Sequence, residues 1–238
     1  MATATEPVHP STYKIGILGA ILTAIGLLMS GPLAILVVAL VQPQPPWNGP
    51  TLFVDSFHRI QTLPYYFGYL LVVGSILMLV SVYLLSKKRA AALAALIFMS
   101  IGGAFVIFNY LTQTAFIPAV VNAYTSELGP VITILSMTNP SSLTWAVEMS
   151  GYGLMGLGTW LAAGFFGTSR LERIAKILFV LNGVVSVLGA LVITIDLSGV
   201  FSIAGLVGYG MWNILYLALA VVFYRVLQKR RVGEKPEF

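Results

Sequence analysis

The chain has 238 residues, of which 58% are hydrophobic and 9% charged, with a formal net charge of +5. It has no cysteine and only two histidines, His9 and His58, which removes disulfides, thiolate nucleophiles, iron–sulfur ligation and cysteine-based zinc sites and leaves no pair of histidines for a haem. No cofactor or metal is expected, and basic residues scattered over short loops argue against nucleic acid as a partner.

Six stretches are long and apolar enough to cross a bilayer, which takes ~20 mostly apolar residues: about 15–41, 64–85, 90–117, 143–166, 174–195 and 200–225. The expected fold class is all-α, a polytopic membrane protein with six transmembrane helices in one bundle. These spans form one domain, 14–227, between a disordered polar tail, 1–13, and a basic tail, 228–238. The basic residues fall at alternate ends of the spans: Lys14; Lys87, Lys88 and Arg89; Arg170, Arg173 and Lys176; Arg225, Lys229, Arg230, Arg231 and Lys235. Only Arg59 lies on the other side. By the positive-inside rule both termini are cytoplasmic, in a plasma- or inner-type membrane, and the basic face meets anionic lipid headgroups.

Span one carries a stripe of small residues, Gly19, Thr23, Gly26 and Ser30, which permits close helix packing. It suits a neighbouring helix of this chain, a membrane-protein partner or a second copy. Gly31-Pro32 then predicts a kink, because proline removes an amide donor. In the outer connection that follows, Phe53, Phe57 and Ile60 recur at i, i+4 and i+7. A short amphipathic helix over 51–62 is expected on the outer surface or as a lid, with Asp55 and Arg59 one turn apart and able to pair. Pro64-Tyr65-Tyr66 reads as an aromatic interface anchor. Span three ends near Ile117, before Pro118, and the apolar run Val131–Leu135 is too short to cross, so it caps the bundle or lies in the interface. Gly-Tyr at 68–69, 151–152 and 208–209 falls near the outer end of each even-numbered span, a faint echo of repeated hairpins.

Glu148 is an acid inside a span, one turn below Trp145. Trp145, Glu148, Tyr152 and Thr159 share a helix face at i, i+3, i+7 and i+14. A carboxylate placed there needs a partner, which makes it a candidate ligand site; pairing with Arg59 is the structural alternative. Asn109 and Gln113 lie one turn apart in the outer half of span three, and Tyr209, Asn213 and Tyr216 follow one face of span six. Such amides either bond between helices or line a pocket. The expected ligand site is Glu148, Trp145, Tyr152, Asn109, Gln113 and Tyr209. Asp196 reads as a helix-end residue, and no catalytic motif is present.

The size, the six spans, the cytoplasmic termini and Ala20-x-x-x-Ala24 in span one are similar to the substrate-binding subunits of energy-coupling-factor vitamin transporters. The expected function is an outward-facing polar and aromatic pocket that binds or transports a small-molecule ligand. A carboxylate flanked by Trp145 and Tyr152, under an acidic outer face, favours a cation or amine. The competing expectations are an enzyme acting on lipid at the outer leaflet, with Glu148 and His58 as acid and base, and a non-catalytic assembly subunit. A closed cup beneath 51–62 would favour ligand binding or transport, a lateral opening beside Glu148 the lipid enzyme, and the lack of a cavity the assembly subunit.

Overall fold

The computed structural model of the chain describes residues 10–233, and no strand occurs among them. Helix α1 (Pro10–Leu28) runs through a π-helical turn (Met29–Leu33) into α2 (Ala34–Val41); α3 is Pro50–Ser56, α4 Leu63–Leu85 and α5 Arg89–Leu111. A second π-helical turn (Thr112–Phe116) leads into α6 (Ile117–Asn122), followed by α7 (Gly129–Leu135), α8 (Leu143–Ala162), α9 (Arg170–Ile195) and α10 (Ile203–Gly233).

Helix boundaries depart from the expected ones at both ends. Residues 10–13, placed by the sequence in a disordered tail, begin α1, and Tyr13 is buried among the core residues. Residues 1–9 of that tail lie outside the described residues. Of the basic tail, 228–233 is helical and continues α10, and 234–238 lies outside the described residues. Span three continues past Pro118 to Asn122 because the π turn absorbs the missing donor there: Ile117 N–H bonds five residues back to Thr112 O. The predicted Gly31-Pro32 kink is the same device, with Ala34 N–H reaching Met29 O.

Five helical runs are long and apolar enough to cross a membrane: Ser11–Val41, Arg59–Leu85, Arg89–Asn122, Arg170–Ile195 and Ile203–Gly233. Their outward faces are apolar as well, as in Ile97, Ile101, Phe105 and Phe108 of α5 or Leu181, Val185, Leu188 and Val192 of α9. Helices apolar on both faces belong to a membrane-embedded protein. The remaining long helix, α8, carries Glu148 and four glycines and is not among these five runs.

The six long helices close into a ring. Each packs antiparallel to its neighbours in sequence, α1 on α4, α4 on α5, α5 on α8, α8 on α9 and α9 on α10, and α10 returns to α1. Large buried side chains fill the middle, including Met78, Met99, Met155, Phe179, Tyr216 and Phe223. The small-residue stripe of α1 is used inside this ring: a Cβ on Gly26 would sit 2.3 Å from the Leu71 backbone nitrogen of α4. Gly102 and Gly151 allow the same closeness between α5 and α8, where a Cβ on either would meet the other's carbonyl oxygen.

One end of the ring holds the short 86–88 and 163–169 connections and the basic residues. There Arg230 of α10 grips Glu172 of α9 at 2.7 Å and lies over the Phe165 ring, 4.2 Å from its centroid. The opposite, cap end carries a second small core in which Phe53 of α3 packs with Ile117, Val120 and Ile132. The Val131–Leu135 run therefore caps the bundle as part of α7. The single amphipathic helix expected over 51–62 is divided: α3 stops at Ser56, the chain extends through Phe57 and His58, and a 3-10 turn spans Arg59–Thr62. That break displaces Asp55 and Arg59 from one-turn spacing, and they form no ion pair.

Candidate functional site

The π turn in the third long helix positions the first wall of the site. Asn109 lies in the last turn of α5 and Gln113 sits in the widened turn; both are buried, at 0% and 4% exposure. Opposite them, close packing through Gly102 and Gly151 brings α8 near enough for Glu148 to meet α5 directly. Glu148 is 6% exposed, and one of its carboxylate oxygens accepts a hydrogen bond from Asn109 Nδ2. Its other oxygen lies 3.5 Å from the Tyr110 hydroxyl, which is itself 2.6 Å from the hydroxyl of Tyr152.

Gln113 continues this network towards the cap end. Its Nε2 donates to Asn109 Oδ1 at 3.2 Å and to Leu135 O at 2.8 Å, and its Oε1 accepts from Met137 N–H at 3.2 Å. The polar groups thus bind three elements together: α5, α8 and the segment after α7. No basic side chain reaches Glu148 among the described residues, where the ion pair found is Glu172–Arg230 at the far end. Arg59, the alternative partner in the sequence, is not bonded to it.

Aromatic rings enclose the carboxyl. Tyr65 and Tyr69 of α4 pack on the Tyr110 ring at 5.8 and 5.7 Å between centroids. Gly68 makes room for that ring, since a Cβ there would lie 2.4 Å from it. On the other side Tyr152 meets Trp212 of α10 at 4.9 Å, and the Trp212 indole donates to Ser186 Oγ at 2.9 Å.

Of the residues expected at the site, Asn109, Gln113, Glu148 and Tyr152 come together. Trp145 stands a turn away; its indole donates to Met137 O at 2.8 Å and its ring packs edge-on against Phe201. Tyr209 stays outside the network, 42% exposed and stacked on Trp212 at 6.3 Å. Asp196 caps its own turn through Ser198, as a helix-end residue does. Sequence reading missed Tyr110, the donor nearest Glu148 after Asn109. Its signal was adjacency to Asn109, but a one-residue offset points 100° around a helix and looks unrelated. Tyr65 was read only as an interface anchor.

The expected outward-opening pocket takes a different form. Glu148 is enclosed, and what opens at the cap end is a narrow cleft beneath the 44–62 segment, with room for about one water-sized group. Gln113 and Tyr65 form its floor, and Gln44, Thr62, Thr138 and Phe57 are among its walls. His58, the other half of the lipid-enzyme expectation, is occupied locally: its Nδ1 accepts Ile60 N–H at 3.2 Å and caps the 3-10 turn. No protein-family model, curated protein or solved structure matches the chain.

Proposed function

We propose that the chain is a six-crossing membrane protein with both termini in the cytoplasm, and that it binds or carries a small cationic or amine ligand at Glu148. The 20 residues of α8 span roughly 30 Å at about 1.5 Å each, the thickness of a hydrocarbon core, and supply the sixth crossing. With the basic residues inside, the cap end faces outward.

The carrying observation is Glu148: a carboxyl buried in the bundle whose hydrogen-bonding partners are all neutral. Enclosing an unpaired charge in an apolar interior costs several kcal/mol, so the position is poorly explained by folding alone. A bound cation supplies the missing countercharge, and the faces of Tyr110, Tyr152 and Trp212 add cation–π attraction. The other readings have less support. An acid–base pair with His58 would have to break that residue's cap, and an assembly role through the α1 stripe would need a surface already packed on α4.

Calorimetric titration of primary amines into the protein in lipid nanodiscs tests the reading. Glu148→Gln keeps shape and hydrogen bonding but removes the charge, so affinity should fall roughly tenfold to a hundredfold while the thermal stability of the amine-free protein holds or rises. Arg59→Gln should change neither. Unaltered amine binding by Glu148→Gln, or strong thermal coupling between the two positions, would end the proposal. Reporters placed near Asn48 and after Phe238 should report the exterior and the cytoplasm, and one at Gly167 should match the latter.

A further inference from the structure

The cleft above Gln113 has a composition unlike that of the Glu148 site. Its polar lining consists of amides and hydroxyls, Gln44, Gln61, Thr62, Tyr65, Gln113, Ser136 and Thr138, with no charged side chain among them. A charged group entering it would find no counterion and would be desolvated at a loss. A neutral hydrogen-bonding group would meet no such penalty.

Most of these polar atoms are already engaged. Both Gln113 amide hydrogens and its oxygen are used, Gln61 is bonded to Ser56 O and His58 N–H, and Thr62 donates to Arg59 O. Gln44 donates to Thr138 Oγ1, tying the first outer connection to the segment after α7 across the cleft. Three hydroxyl protons are left over. The Tyr65 hydroxyl has no hydrogen-bond partner among the described residues, Thr138 accepts from Gln44 without donating onward, and Ser136 accepts from Thr138 N–H in the same way. Unspent hydroxyl donors on residues lining a space the size of one water make a site for a single acceptor oxygen.

We infer that this cleft is a subsite for one uncharged oxygen of the ligand, a hydroxyl or carbonyl, so that the ligand class is an amine bearing such a group and not a plain alkylammonium. The inference rests on the amine reading of Glu148. Two physical links join the subsites: the Tyr65 ring packs at 5.8 Å on Tyr110, the tyrosine beside the Glu148 carboxyl, and Gln113 reaches that carboxyl through Asn109.

The test compares unbranched amines, propylamine to pentylamine, with the amino alcohols of matching length, titrated into wild-type and Tyr65→Phe protein in nanodiscs. Tyr65→Phe keeps the ring on Tyr110 and removes only the donor. In the wild type the best amino alcohol should bind roughly fivefold to tenfold more tightly than its plain amine, the size of one added hydrogen bond. Tyr65→Phe should abolish that preference and leave plain-amine affinity unchanged. Equal binding of both series by wild-type protein, or a preference that survives in Tyr65→Phe, would overturn the subsite while leaving the amine site standing. If no amine binds at all, the amine reading has failed and the subsite falls with it.

Discussion

Replacing Asn109 by leucine should be one of the costlier single changes in the bundle, and pairing it with Glu148→Leu should recover much of the loss. Asn109 is fully buried and gives Glu148 its closest hydrogen bond while accepting from Gln113. Leucine fills nearly the same volume but strands one carboxylate oxygen and one Gln113 proton. A hydrogen bond to a carboxylate contributes about 1.5–3 kcal/mol, and the stranded neutral donor adds about 0.6 kcal/mol on the scale of interhelical bonds in membranes. The single variant should therefore lose about 2–4 kcal/mol. In the double variant the carboxylate goes with its donor, only the Gln113 proton stays stranded, and two apolar groups facing each other between α5 and α8 are close to neutral. Unfolding in mixed micelles by SDS titration, run on both singles and the double, gives the coupling energy directly. A value above about 1 kcal/mol is expected. Additivity within about 0.5 kcal/mol, the behaviour of independent sites, would mean that Asn109 and Glu148 do not interact and would dismantle the site.

Other parts of the molecule give separate expectations. Gly26→Ala drives a Cβ into the backbone of Leu71 and should cost about 1–3 kcal/mol, whereas Gly208→Ala, with nothing within 4 Å, should be neutral or slightly stabilising; thermal unfolding of the two in one detergent decides. His58→Ala removes the cap of the Arg59–Thr62 turn and should lower the melting temperature by the equivalent of about 1 kcal/mol without changing amine affinity, which a lipid-enzyme role for His58 would not tolerate. Arg230→Ala should cost no more than about 1 kcal/mol, and less in high salt, because its pair with Glu172 is partly exposed.

Architecture was readable in the sequence wherever it depended on composition along the chain. Uncharged runs located the helices, the Gly31-Pro32 pair marked the first irregular turn, and Asn109, Gln113, Glu148 and Tyr152 stood out as polar residues that hydrocarbon does not tolerate. What depended on how helices meet was not readable. Tyr110 joins the site because Gly68 leaves space for its ring, a fact about two helices that neither states alone. Tyr209 looked equivalent to Tyr216, one face of one helix, yet Tyr216 is buried with its hydroxyl donating to Ser75 and Tyr209 is not. The division of 51–62 was hidden because the i, i+4, i+7 spacing of its apolar residues suits a continuous helix. Packing of Phe53 under α7 and capping by His58 prevail over that local pattern.

The wide turn at Thr112–Phe116 also governs how this chain tolerates changes in its own length. A deletion in a regular stretch of α5 would turn every later residue by about 100° and swing Ile117 and Val120 off the cap core. Within the π turn the extra residue is already accommodated as a bulge. Loss of Ala115, which is exposed, would relax the bulge to ordinary α-helix while the flanking segments kept their faces. The helix thus has one place where a residue can be gained or lost without re-registering either core, and it lies beside Gln113, the side chain that joins the cleft to the carboxyl. Variation in chain length at that point would alter the floor of the cleft and leave the bundle around it intact.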